Sequence, residues 1–447
     1  MFQTFKNAFK LPDLRNKILF TLFIILLYRI GAAIPVPYVS ALSFDMMSGV
    51  SGSILDYLNI MSGGALEQAT LFALGVQPYI NASIIIQLLT IAIPALEKLS
   101  KDGEEGRKKI NNITRYVTVA LAVLMAFGYY MLLRNRFGQA GVPQILSDTG
   151  VFAAFVIIAC YCAGASLVMW LAEKINENGI GNGISIILFA NIIARLPSTG
   201  ISLWRMAYGW MTTKGGAWIA LGILFILVAI IAMVAMVGFV VFLTESERKI
   251  PVQYAKRVVG RKMYGGQSSV LPIKLNMTGV MPIIFASSIC SLPATVMMFV
   301  GEPSGEGFGH SVYHFFNSVF ATSSPVYMVI YFALIIAFAY FYIAISFNPV
   351  EVSNNLKKNG GFIPGIRPGK PTSDYISKIL SKITLIGAIF LGVIAVLPMI
   401  VGAVANGALA SIAFGGSSLL IVVGVAVETV REIEAQMTMR HYKGFLQ

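Results

Sequence analysis

Ten apolar segments, each long enough to cross a bilayer, recur along the chain at roughly 17–34, 68–94, 113–133, 151–172, 183–202, 217–243, 274–300, 326–347, 378–400 and 410–430. No water-soluble core has use for so many. Only 12% of the 447 residues are charged and 57% are hydrophobic, against roughly a quarter charged in an ordinary soluble domain. Lipid is therefore the solvent for most of the chain, and its backbone must be helical or shielded by protein wherever it meets hydrocarbon. A soluble enzyme, a secreted disulfide scaffold and a disordered tail are all excluded. The second and seventh segments are interrupted by Pro and Gly, and the fifth is short and polar at its start.

The net charge of +13 is unevenly placed. With ten spans both termini share one side, and 27 of the 33 Lys and Arg lie in the termini and loops of that side. The positive-inside rule makes that side cytoplasmic. Ahead of the first span lies a basic amphipathic start, with Phe2, Phe5, Phe9, Lys6 and Lys10. That span runs into Pro35 and Pro37 and reads as an uncleaved first crossing. Cys160, Cys162 and Cys290 all sit in apolar stretches, so they read as small apolar side chains rather than a disulfide pair or a metal site.

Three segments outside the spans carry further information. Ser53–Gly64 is apolar, helical in period and too short to cross. It is either a half-helix held inside protein or a helix lying at the interface. The loop between spans six and seven, about 245–274, contains VQYAKRVVGRKMYGGQSSVLPIK, in which β-branched and aromatic residues flank a basic tip. This pattern predicts an extended ribbon. The loop between spans eight and nine, about 348–377, carries NNLKKNGGFIPGIRPGKPTSDY, whose Gly and Pro predict ordered turns rather than helix. Two long basic loops on one face either serve only as an orientation signal or form a docking surface for a large acidic or RNA-rich partner.

The second and seventh spans echo each other. GVQPYINASII at 75–85 and GVMPIIFASSI at 279–289 share Gly, Val, Pro, Ile, Ala, Ser and Ile at the same spacing, 204 residues apart. That offset is near half the chain. It predicts two five-span halves, 1–205 and 206–447, of inverted topology. Catalytic chemistry is missing: His310, His314 and His441 lie in loops or a tail, and no HExxH or Ser/His/Asp set occurs. PGKPT at 368–372 lacks the first Gly of a phosphate loop, and GIGNG at 179–183 follows no strand. No catalytic residue, cofactor or metal is therefore expected. Ionisable residues within spans are scarce, with Arg29 and Glu428 near span ends. A central pathway would then be apolar and would gate by dewetting. In helical register Val76 shares a face with Ile80, and Leu188 with Ile192.

Across its length the chain resembles the SecY family, the central subunits of the bacterial protein-conducting channel. The resemblance rests on RIGAAIPVP (29–37), MSGGALEQATLFALGVQPYINASIIIQLL (61–89), EGRKKINNITRY (105–116) and MWLAEKINENGIGNGISI (169–186). It rests equally on VQYAKR (252–257), LPIKLNMTGVMPIIFASS (271–288), FNPVEVSNNLKKNGGFIPGIRPGKPT (347–372) and FGGSSLLIVVGV (414–425). It implies an all-α membrane protein whose two pseudo-symmetric halves enclose an hourglass pore. A pore ring would fall on Val76, Ile80, Leu188, Ile192, Ile284 and Ile421, with Leu420 beside it. A plug half-helix at about 54–64 would include Ile54, Leu55, Tyr57, Leu58, Ile60 and Met61. A lateral gate between spans 2/3 and 7/8 would carry Asn81, Ser83, Gln87, Asn276, Ser287, Ser288 and Leu292.

The same resemblance implies a docking surface for the SecA motor and the ribosome at Lys256, Arg257, Arg261, Lys262 and Arg367. SecE would clamp the halves and SecG would sit peripherally. Unfolded preproteins and signal sequences would be the cargo, with membrane lipid at the gate and no direct DNA binding. The location implied is the bacterial plasma (inner) membrane, crossed many times. A solute transporter with inverted repeats is the rival reading. The scarcity of midplane charge and the two basic loops speak against it.

Overall fold

The computed structural model describes residues 8–39, 59, 61–66, 68–136, 146, 150–214, 216–254, 257–259, 262–264, 268–300, 308–321, 324–404 and 410–443. Within them the order begins α1 (Pro12–Gly31), α2 (Gln77–Ala92), α3 (Pro94–Lys101), α4 (Gly103–Arg136), α5 (Val151–Asn178), α6 (Gly183–Lys214) and α7 (Gly216–Glu245). The strands β1 (Glu247–Tyr254), β2 (Arg257–Val259), β3 (Lys262–Tyr264) and β4 (Ser268–Lys274) follow. The chain continues through α8 (Met281–Val300), α9 (Phe308–Val319), α10 (Pro325–Ser346), α11 (Pro349–Lys358), β5 (Gly361–Phe362), α12 (Lys370–Val404) and α13 (Ala410–Lys443).

Among the described residues α4, α5, α10 and α12 are long and apolar enough to cross a membrane. The pair α2 and α3, bent by 102° at Ile93, makes a fifth candidate. Pro94 produces that bend: it cannot extend the ladder of α2, but it starts α3 well. Helix α7 is apolar all round, and Ile223, Leu224, Leu227, Val228, Ile230 and Ile231 are each more than half exposed. Side chains of that kind need lipid or another apolar surface against them.

The interior is one large apolar cluster. It draws on α1, the turns around Met61–Val76, and helices α2, α5, α6, α7, α8, α10, α12 and α13. A second cluster joins α4 and α5 to Leu66, Ala69 and Ala73. The chain before α7 meets the chain after it where α8 lies against α2 and α4, where α6 lies against α13, and where Leu14 of α1 packs with Ile433 of α13. Close approach depends on small residues. A Cβ on Gly164 of α5 would sit 2.0 Å from the Leu71 carbonyl oxygen, and one on Gly424 of α13 would sit 2.2 Å from Val280 Cγ1.

Several expectations need correction. The second and seventh apolar segments do not begin as helix at 68 and 274: helix starts at Gln77 and Met281, after turns and, for the seventh, the end of β4. The fifth, expected to end at about 202, runs on as helix to Lys214, with Pro197 inside it. The 348–377 loop is not made of turns alone. Its first part is α11, because Asn348 accepts from Val350 N at 3.1 Å and Glu351 N at 3.4 Å while Pro349 occupies the first turn. Glu351 and the pair Lys357 and Lys358 complement the helix dipole at its two ends. Turns are confined to the stretch between Asn359 and Gly369.

These packing distances predict opposite signs for two glycine substitutions. Gly164→Ala forces α5 off the Leu71 carbonyl and should lower stability by roughly 1–3 kcal/mol. Gly200→Ala in α6, where nothing lies within 4 Å, should be neutral or stabilising by up to about 1 kcal/mol. Thermal unfolding of the purified protein, followed by tryptophan fluorescence, checks both.

Candidate functional site

Two copies of one turn build the centre. Gly75 and Gly279 adopt left-handed backbone, at φ +53° and +61°, and each precedes its helix start by two residues. Glycine takes that conformation without a Cβ clash. Pro78 and Pro282 then sit in the first helical turn, where a missing N–H costs nothing. Val76 and Val280, 1% exposed each, hold equivalent positions between Gly and helix. Ile80 N bonds to Val76 O at 3.0 Å and Ile284 N to Val280 O at 3.2 Å, so each isoleucine stands one turn above its valine. The echo at an offset of 204 is thus an echo in backbone geometry as well as in letters.

Val76, Ile80, Leu188, Ile192, Ile284 and Ile421 are each at most 2% exposed, and all belong to the large apolar cluster. They come from the α2 start, α6, α8 and α13. Leu420, Met61 and Val280 share that cluster. The arrangement can exclude water, and it offers no group that could act as acid, base or nucleophile.

Of the predicted plug, Ile54, Leu55, Tyr57, Leu58 and Ile60 lie outside the described residues. Met61 is described and is 1% exposed. From there to α2 the chain is tied down at many points. Gly64 N bonds to Asn59 O at 2.9 Å, Leu66 N to Ser62 Oγ at 3.1 Å, and Tyr129 OH donates to Leu66 O at 2.7 Å. Asn191 of α6 donates from Nδ2 to Met61 O and to Tyr28 OH, both at 2.9 Å.

The predicted gate residues are less uniform. Asn81 (7% exposed), Asn276 (8%), Ser287 (1%) and Ser288 (0%) are buried, Ser83 and Gln87 are half-buried, and Leu292 is 41% exposed. Gln87 Nε2 donates to Ser83 Oγ at 3.3 Å, Ser287 Oγ to Ile284 O at 2.8 Å, and Thr278 Oγ1 to Asn276 Oδ1 at 3.2 Å. Those bonds run within α2, within α8 or within the turn before α8, and none of them crosses from α8 to α2 or α4. One residue at this seam escaped the sequence reading. Gln77, 4% exposed, lines a small cavity with Leu66, Leu74, Met125, Tyr129 and Thr295, and its amide has no partner among the described residues. Its position directly after Val76, inside an apolar run, hid it.

The two basic loops share a three-stranded sheet, and a separate two-stranded ribbon forms the tip. The predicted ribbon is present: β1 and β4 pair antiparallel from Glu247↔Lys274 to Gln253↔Ser268, and β2 pairs with β3 at the tip. β5 of the next long loop then adds to β1, through Gln253↔Phe362 and Tyr254↔Gly361. Ile250, Val252 and Ile273 pack under this sheet on Ile343, Leu356, Ile363, Ile376 and Ile379. Arg367 stands exposed beyond β5, while its carbonyl accepts from Thr372 Oγ1 at 2.8 Å. Arg257 and Lys262 belong to the paired tip strands, and Lys256 and Arg261 lie outside the described residues. At the foot of the ribbon, burial pushes the Lys274 ammonium below the usual lysine range, and Arg431 adds to the effect. Glu247, Glu428 and Glu245 act in the opposite direction. Among the described residues no three His, Cys, Asp or Glu side chains come together as a metal site.

With that geometry in hand, similarity to known proteins is informative. A family model described as SecY matches residues 70–430. The chain is 47% identical to the protein translocase subunit SecY of Streptomyces galbus over 453 residues, covering 100% of both chains. It is 45% identical over 455 residues to that of Mycobacterium tuberculosis H37Rv, again covering 100% of both. Among solved structures, one described as a protein-conducting channel aligns with a TM-score of 0.62 at 16% identity, over 95% of this chain and 92% of the other. Sec61 in a canine ribosome–channel complex aligns with a TM-score of 0.58 at 16% identity, with the same coverage.

The paired turns make a direct prediction. Gly75→Ala and Gly279→Ala have room for a methyl group but not the backbone for it, so each should cost about 1–2 kcal/mol. Asn, which tolerates left-handed backbone, should cost less at both positions. A heat-solubility series on detergent extracts ranks the four variants.

Proposed function

The chain belongs to the SecY family, and on that premise we propose that it is the central, pore-forming subunit of a protein translocase. Ten spans in two inverted halves surround the pore. Unfolded preproteins pass through it across the bacterial plasma membrane, and both termini of the subunit are cytoplasmic. Val76, Ile80, Leu188, Ile192, Ile284 and Ile421 form the ring that closes around the moving chain. The observation that carries this reading is their gathering, from four separate elements, into one dry apolar cluster with Met61. An apolar constriction excludes water and ions by dewetting and makes no directional bond. It therefore accepts any sequence of side chains, which a translocase requires and a solute carrier does not.

The segment at 54–64 is the plug, and the contact of α8 with α2 and α4 is the lateral gate through which apolar segments leave for lipid. That contact suits a gate because the described hydrogen bonds of its polar residues stay on their own side. The sheet joined from β1, β4 and β5 is the docking platform for SecA and for the ribosome, which supply the energy this chain has no residues to generate. SecE and SecG complete the complex. Phosphate recognition by Arg257, Arg261, Lys262 and Arg367 makes ribosome docking weaken steeply with salt.

A photo-crosslinking amino acid at Ile284, with a secretory precursor arrested midway in the presence of motor and ATP, tests the pore. A crosslink that needs ATP is the expected result. Its absence, with uptake of a small solute by the same vesicles, would revive the transporter. Ile284→Asn puts a hydrated side chain in the ring, so resting ion leak should rise and export of precursors with weak signal sequences should improve. Arg367→Ala should reduce motor-driven export several-fold while leaving the amount of membrane-inserted protein unchanged; equal losses of both would indicate misfolding.

A further inference from the structure

The side chain of Asn191 stands out because it joins three parts of the molecule that have separate roles. It lies on α6 between Leu188 and Ile192, is 0% exposed, and belongs to the turn of helix that carries two of the ring residues. Both protons of its amide are used: one goes to Tyr28 OH on α1 at 2.9 Å, the other to the main-chain oxygen of Met61 at 2.9 Å. Tyr28 is itself 0% exposed and stacks on Phe72, with ring centroids 5.3 Å apart. The next residue on α1, Arg29, donates from Nη2 to the carbonyl of Ala190, the neighbour of Asn191.

The segment that meets this group is fitted to it. Gly63 adopts φ +70°, and a Cβ there would lie 2.9 Å from Asn191 Oδ1 and 3.1 Å from Arg29 Nη1. Gly64 N and Ser62 Oγ both bond back to Asn59 O, at 2.9 and 3.0 Å, so Met61–Gly64 is held folded back on Asn59 beside α6. A buried amide whose donors are both satisfied loses heavily if its partners move apart, since no water replaces them.

Resting on the channel reading above, we infer that Asn191 is a positioning residue that latches the turn Met61–Gly64 to the ring-bearing turn of α6. Leu188 and Ile192 move with that turn when the ring widens. The same movement pulls Asn191 away from Met61 and Tyr28 together. Ring dilation and release of that turn are then one event, and in the resting state each holds the other in place.

The test uses the whole complex in lipid vesicles. Asn191→Leu keeps the volume and removes both donors, and Asn191→Asp serves if the leucine variant does not assemble. The first readout is labelling of Met61→Cys by a membrane-impermeant maleimide, with Cys160 and Cys162 replaced by serine and the native Cys290, 2% exposed in α8, as internal control. Loss of one or two buried hydrogen bonds should raise labelling at position 61 about tenfold, with Cys290 still protected. Resting ion conductance should rise in parallel. Unchanged labelling and conductance would overturn the latch, and so would equal gains at positions 61 and 290, which signify general loosening. Ile284→Asn in the same vesicles separates the two levels of the argument. A leak there with none in Asn191→Leu rejects the latch alone, whereas no leak in either, with no crosslink from position 284 to precursor, rejects the channel.

Discussion

A backbone in hydrocarbon can leave the helix only where protein takes up the amides and carbonyls it frees. The turns from Met61 to Val76 depend on this constraint, and the rest of the centre depends on those turns. Their polar groups are met from all sides. Leu71 N bonds to Ile34 O at 2.9 Å, Val36 N to Ala69 O at 3.3 Å, and Tyr129 of α4 donates to Leu66 O at 2.7 Å. Tyr161 of α5 reaches Ala69 O at 3.5 Å. Gly164 lets α5 come close enough to bury the Leu71 carbonyl. With these bonds made, α2 can start at Gln77, deep in the protein, and Val76 and Ile80 are delivered to the centre.

The six residues brought together there present an apolar surface, buried in one cluster, of the kind that excludes water. Polar side chains at the centre either bond within their own helix, as Ser287 does to Ile284 O, or, like the Gln77 amide and Ser288 Oγ, have no partner among the described residues. Asn191 departs from this rule, since it bonds to two other elements at once. Charge is instead concentrated on the sheet outside the bundle, where Ile250, Val252 and Ile273 seat the strands on α10, α11 and α12. A partner pressing on that sheet therefore presses on packed helices, not on a loose loop.

The apolar segments, the ribbon at 245–274 and the Gly-Val-x-Pro echo were legible because each is a local pattern of period, turn chemistry or repetition. Helix starts were misplaced for a local reason too. Residues 68–76 and 274–280 are apolar enough to be read as span, but Gly75 and Gly279 turn the chain before it can coil. Helix α11 was missed because the glycines after Lys358 outweighed the Asn348 cap before Val350. The pairing of β1 with β5 joins residues more than a hundred positions apart, and two residues of strand leave no periodic trace. Gln77 and Asn191 were invisible for the same reason: a polar residue inside an apolar run has meaning only when its neighbours are known.

What the sequence determined by itself was the solvent, the rough number and order of helices, the concentration of basic residues in a few loops, and the resemblance that names the family. The resemblance rests on short motifs and the others follow from composition and spacing, and none of these changes on folding. Only the tertiary structure decided that six apolar residues from four elements share one buried cluster, that two basic loops contribute strands to one sheet, and that Asn191 ties Met61 to α1 and α6. Those are contacts between distant parts of the chain. Their free energy comes from burial and from hydrogen bonds closed in the absence of water, and neither exists until the helices have packed.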